Sequence, residues 1–137
     1  MTDLTSVRAR RRQFGYWAAT LLVSAELVVG GAWDVLRVPQ VSGVVGHLGY
    51  PPYFLVILGV WKLLGAAALL APRFPVLKEW AYAGVVFADT GAVASHLVVG
   101  YGTGEVAFLV VLTALTALSW SLRPPSRRIR AGLGDRV

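Results

Sequence analysis

Residues 53–71 read YFLVILGVWKLLGAAALLA, nineteen positions of which only Lys62 carries a charge. A helix rising about 1.5 Å per residue covers roughly 28 Å over that length, close to the roughly 30 Å thickness of a bilayer's hydrocarbon core. The apolar run is continuous rather than alternating with period two, so it reads as a transmembrane helix and not as a barrel strand. Pro51 and Pro52 fit its start, and Pro72 and Pro75 follow its end.

Three more runs of this kind lie on either side. Residues 16–33 read YWAATLLVSAELVVGGAW, residues 80–100 WAYAGVVFADTGAVASHLVVG, and residues 106–122 VAFLVVLTALTALSWSL. Pro124 and Pro125 close the last one, and aromatic residues such as Tyr16, Trp17, Trp33, Tyr53, Trp80 and Trp120 gather at run ends, where their rings favour the headgroup region. The expected fold is an all-α membrane protein: a four-helix transmembrane bundle over residues 14–122, between basic tails at 1–13 and 123–137. The one long connection, Asp34 to Pro52, has room for a short interfacial helix between the first two spans. Residues 14–33 are long for a signal peptide and no A-x-A-like site follows, so they are read as the first span.

Composition agrees. The 137 residues are 56% hydrophobic and only 15% charged, with a mean hydropathy of +0.64, more apolar surface than a soluble domain of this size can bury. The net charge of +6 comes from arginines in the terminal segments, which read as topology and lipid-surface determinants, so no nucleic-acid partner is expected. With both termini cytoplasmic, eleven of the thirteen basic residues fall on that side, leaving Arg37 outside and Lys62 in the membrane. An inner-membrane protein with N-in, C-in topology is therefore expected. The chain has no cysteine and hence no thiol chemistry of its own. It contains no CxxC, HExxH or Gly-rich phosphate loop, and its two histidines, His47 and His96, are not at metal-site spacing; no metal site and no resident cofactor are expected.

Chemistry is expected where lipid should forbid charge. Glu26, Lys62 and Asp89 each lie about nine or ten residues into their spans, near the midplane, while Asp34 lies toward the outer side. His96 is seven residues past Asp89, on the same helical stripe. A charge at the bilayer centre costs roughly 2.5 to 3.5 kcal/mol on insertion scales, so these groups should face one another. Lys62 is the natural hub, with Asp34, Glu26 or Asp89 as salt-bridge partners. The surplus carboxyl, Glu26 or Asp89, is then expected to hold a proton and to serve as general acid or relay beside Lys62 and His96. Glu26, Asp89, Lys62 and His96 are the candidate catalytic residues, and Trp33, Trp61, Thr113 and Thr116 the candidate ligand-lining ones. The competing reading is a buried ion pair that only fixes helix register.

The stretches GGAWDVLR (30–37), HLGYPPYF (47–54), LGVWKLLGAAALLAP (58–72), LKEWAYAG (77–84) and GAVASH (91–96) together resemble the DoxX-like family of small four-helix bacterial membrane proteins. In other branches the end of the first span resembles a lysine position and the second-span site an acidic one. Here they read Asp34 and Lys62, and that charge reversal implies a direct Asp34–Lys62 ion pair. Glu26 matches no motif of the family. Some members are similar to the membrane subunit of a thiosulfate:quinone oxidoreductase, and others are linked with oxidative-stress complexes; a shared fold does not fix a function.

Two functions are expected to compete. In the first, the polar cluster orients a quinone-, lipid- or terpenoid-like molecule, and the protein is an accessory subunit for a redox partner protein. In the second, it is a cofactor-independent acid/base enzyme of cyclase, isomerase or hydrolase type acting on a hydrophobic substrate. A transporter ranks last, because four short spans without a repeat leave little room for alternating access.

Overall fold

The computed structural model describes residues 2–129, with side chains from residue 4 onward. The chain forms α1 (Thr2–Leu36), α2 (Pro39–His47), α3 (Pro52–Leu70), α4 (Pro75–Val99) and α5 (Thr103–Leu122), followed by a 3-10 turn at Pro125–Arg127. There is no strand among the described residues. Helices α1, α3, α4 and α5 are each long and apolar enough to cross a membrane. Each packs on the next in chain order, and α5 closes the ring on α1. The bundle is thus up-down-up-down, with one basic end and one end covered by α2.

The boundaries differ from the sequence expectation in two informative places. Helix α1 is 35 residues long, about 52 Å, far more than a hydrocarbon core requires. No Gly or Pro precedes Gly15 and arginine is a good helix former, so the basic segment Arg8–Arg12 continues the helix of the span. Helix α4 begins at Pro75 rather than near Trp80. Proline suits the first helical position because its missing N–H has no partner there in any case. This start draws Lys78 and Glu79 into the bundle. Arg130 and Arg136 of the expected C-terminal tail lie outside the described residues.

On α1 the buried face is Tyr16, Thr20, Val23, Leu27, Gly31 and Asp34, and on α4 it is Lys78, Tyr82, Val85, Asp89 and His96. Both follow the three-and-four spacing of one helical stripe. Large side chains such as Leu22, Phe87 and Val98 point away from the bundle. That is unremarkable in lipid, where small-residue packing and polar contacts, not apolar burial, hold helices together.

The tightest helix crossing is α1 on α3. A Cβ placed on Gly59 would lie 2.6 Å from the Gly31 carbonyl oxygen and 2.8 Å from the Val35 backbone nitrogen. Only glycine lets the two backbones come this close, and the approach sets Lys62 of α3 against α1. At the far end, Gly100 caps α4 in the left-handed conformation with φ 68°, and Gly102, at φ 72°, turns the chain into α5.

Candidate ligand-binding site

Lys62 is the meeting point of the charges in the α2 half. Its Nζ lies 3.1 Å from Asp34 Oδ2 and 3.6 Å from Glu26 Oε1. Asp34 is at the end of α1, two turns beyond Glu26, and both reach Lys62 because Gly30 and Gly31 leave space beside it. A Cβ on Gly30 would be 2.8 Å from Glu26 Oε1 and 3.2 Å from Lys62 Nζ. The second carboxylate oxygen of Glu26 has no hydrogen-bond partner.

Asp89 of α4 is 7% exposed, and it is near enough to Glu26 and Lys62 to interact with both charges. Its Oδ2 is buried without a partner. The Thr113 hydroxyl is within reach of the Asp89 carboxyl while also donating to the Leu109 carbonyl at 2.8 Å. Two turns further on, the His96 ring is 4% exposed. His96 Nδ1 lies 2.8 Å from the Ala92 carbonyl oxygen, and Nε2 is buried with no partner.

Two cavities meet at Lys62. The first, about 360 Å³, opens between α3 and α4; its walls are Leu27, Trp61, Gly65, Trp80, Gly84 and neighbouring apolar residues, with Lys62 and Asp89 as its charged groups. The second, about 450 Å³, lies under α2 and is walled by Val41, Val44 and Val45 of α2, Tyr50, Phe108, Asp34, Lys62, His96 and Glu105, among others. Both volumes are within the range of sites for small organic molecules, roughly 300 to 1,000 Å³. Helix α2 has no buried residue and rests over the second cavity. Around it His47 stacks on Tyr101 at 4.2 Å, and the Tyr50 hydroxyl pairs with Ser95 at 2.7 Å.

Of the sequence candidates for the ligand wall, Trp61 is on the first cavity. Trp33, Thr113 and Thr116 are on the walls of neither cavity. Trp33 is half-exposed on the outer surface of α1, and the Thr116 hydroxyl is spent on the Leu112 carbonyl of its own helix. Among the described residues no group of three or more acidic or histidine side chains could hold a metal ion.

The basic end contains a second polar cluster that the sequence did not reveal. Lys78 is 1% exposed. Its Nζ donates to the carbonyls of Ala68 (2.8 Å), Leu69 (3.1 Å) and Ala71, closing the C-terminal end of α3. Arg123 pairs with Glu79 at 2.6 Å, and Trp120 Nε1 donates to the same carboxylate at 2.9 Å. The Ser119 hydroxyl ties Thr20 (2.6 Å) to Tyr82 (2.7 Å) across three helices. Lys78 reads in sequence as a loop charge because PVLKE resembles a connection; the signal that could have placed it was Pro75 as a helix start.

Fold and site together define a small multi-pass membrane bundle with a polar cluster enclosed at mid-height. The sequence profile of the DoxX-like family matches residues 18–119, most of the chain, and the protein belongs to that family. No curated protein and no solved structure matches the chain.

Proposed function

We propose that the protein binds a hydrophobic small molecule of quinone, lipid or terpenoid type in the cavity between α3 and α4, with Lys62 and Asp89 at its polar end. The observation that carries this reading is the buried, unpartnered Asp89 Oδ2, from a residue on the wall of a cavity that is apolar apart from Asp89 and Lys62. An orphaned buried polar atom costs free energy unless something completes it, and a ligand hydroxyl donating to this acceptor would do so. The cavity opens laterally, the route by which a lipid-soluble molecule arrives. Such a protein suits the role of accessory subunit, with electrons handled by a partner redox protein.

The test is direct. Lipids extracted from the purified protein are identified by mass spectrometry, and Trp61 and Trp80 on the cavity wall report binding of a short-chain benzoquinone by fluorescence quenching. Wild type should retain a stoichiometric hydrophobic molecule and quench saturably, and Asp89→Asn and Lys62→Met should lose both. No retained molecule and no saturable quenching in well-folded wild type would sink the proposal.

A second reading, an acid/base enzyme, is favoured by one observation: Glu26 Oε2 and Asp89 Oδ2 both lack a partner close to the Lys62 ammonium. Here Asp89, on the cavity wall, would exchange a proton with substrate, with Glu26 acting through Lys62 and His96 relaying the proton toward the α2 end. Deuterium incorporation into the extracted molecule in heavy water, lost in Asp89→Asn, would favour this reading over simple binding.

The same proposal places both termini in the cytoplasm, supported by the arginines of the basic end. Because the chain has no cysteine, single-cysteine labelling is clean: Gly43→Cys should react from outside intact cells and Ser126→Cys should not.

A further inference from the structure

We infer that the cavity under α2 is a headgroup chamber of the same binding site, selective for a head bearing a hydroxyl, which His96 Nε2 receives as a hydrogen-bond acceptor. The inference rests on the ligand-binding reading above and concerns a different compartment. Its first support is the direction of the His96 hydrogen bond. A backbone carbonyl can only accept, so the Nδ1 that faces the Ala92 oxygen at 2.8 Å must carry the proton. In the neutral ring Nε2 is then an acceptor, not a donor. It is buried, it has no partner, and its ring forms part of the chamber wall. Whatever completes it has to bring an O–H or N–H.

The other polar groups of the chamber narrow the choice. The Tyr50 and Ser95 hydroxyls are engaged with each other at 2.7 Å, and Ser95 is also held to the Gly91 carbonyl at 2.9 Å. Asp34 is held by Lys62 at 3.1 Å. Glu105 stands beside His96: a Cβ on Gly102 would meet both, at 2.6 Å from Glu105 Oε2 and 3.1 Å from His96 Cδ2. The α4–α5 side of the chamber is therefore rich in acceptors. The Lys62 ammonium, which also borders the chamber and is held by Asp34 and Glu26, is a donor and calls for an oxygen that accepts. A hydroxyl meets both requirements, because it donates to His96 and its oxygen side is compatible with Lys62.

Lys62 borders both cavities, so one amphiphile can place its apolar tail between α3 and α4 and its head under α2. His96 lies seven residues beyond Asp89 on α4, about 10 Å along the axis. A head that reaches from the level of Asp89 to His96 is thus longer than a single hydroxymethyl.

The probes are a para-alkylphenol, its O-methyl ether and an alkylammonium with the same tail, titrated calorimetrically into the purified full-length protein. Wild type should bind the phenol roughly tenfold more tightly than the ether, the size of one buried hydrogen bond. The preference should vanish in His96→Leu, through weaker phenol binding, and return in part in His96→Gln, whose amide oxygen also accepts. Equal binding of phenol and ether to wild type overturns the headgroup chamber while leaving the hydrophobic-ligand reading intact. Tighter binding of the alkylammonium, which donates but cannot accept, overturns the preference for a hydroxyl. Absence of binding by all three overturns both. If His96→Leu does not fold, the wild-type comparison alone decides.

Discussion

The two ends of this bundle use the same kinds of side chain to opposite effect. At the basic end nearly every polar group is closed by a partner: Lys78 by three carbonyls of α3, Glu79 by Arg123 and Trp120, and Ser119 by Thr20 and Tyr82. In the α2 half, Glu26, Asp89 and His96 each keep a buried atom without a partner; one cavity lies under α2 with His96 on its wall, and another runs from Lys62 and Asp89 toward the basic end. A satisfied network rigidifies, whereas an incomplete one costs stability and is retained where something else completes it. The difference supports the proposed reading of Glu26, Asp89 and His96 as a site, and sets it against a basic end whose charges act as a clamp.

The largest expected effect falls between the two regions, at the α1–α3 crossing. Gly59→Val would drive side-chain atoms into the Gly31 carbonyl and the Val35 backbone, which cannot yield as a flexible side chain would. We expect a loss of at least about 3 kcal/mol, or no folded protein at all, by thermal unfolding in detergent. If Gly59→Val melts within a degree or two of wild type, the close crossing is not what positions Lys62.

Next in size is Lys78→Met, which strips the donors from the α3 carbonyls. A cost of about 3 kcal/mol is expected from the unmet buried acceptors, with ligand retention in the surviving folded fraction unchanged. A variant that folds well but loses ligand would break the division into clamp and site.

A smaller effect, and a sharper one, comes from balancing charge. Lys62→Met alone leaves the Glu26 and Asp34 carboxylates without their counter-ion and should cost about 2 kcal/mol, less than a fully buried pair because Lys62 and Glu26 are partly exposed. Adding Glu26→Gln and Asp34→Asn should recover most of that stability without recovering ligand. Recovery of both would mean that the ion pairs only set register. Smallest is Asp89→Asn, expected to change stability by less than about 1 kcal/mol because the carboxyl oxygen it alters has no protein partner. Its ligand retention, by contrast, should fall. A large destabilisation there would move Asp89 from the site to the scaffold.

Some of this was legible in the sequence for a plain reason. Four apolar runs of near-membrane length leave few alternatives, since lipid forces every backbone group into a helix or a closed barrel. The helix between the first two spans could be anticipated because that loop alone is long. Glu26, Lys62, Asp89 and His96 stood out because a charge or imidazole amid apolar neighbours is locally conspicuous. Lys78, Glu79 and Ser119 did not stand out, because they sit among polar or boundary residues where nothing local marks them as buried. Trp33, Thr113 and Thr116 attracted attention by type and depth, yet none is on a cavity wall: Trp33 is half-exposed on the outside of α1, and the two threonine hydroxyls donate to carbonyls of their own helix.

By itself, then, the sequence determined the number of spans, their lengths and the depth of each charge, because hydropathy and helical rise are local properties. Which charges touch, and which are left open, was decided only by the tertiary structure. That choice depends on how closely α1 approaches α3 at Gly31 and Gly59 and on where α4 begins, and both are set by contacts between segments far apart in the chain. The same packing leaves the space beside Lys62 that no single helix contains.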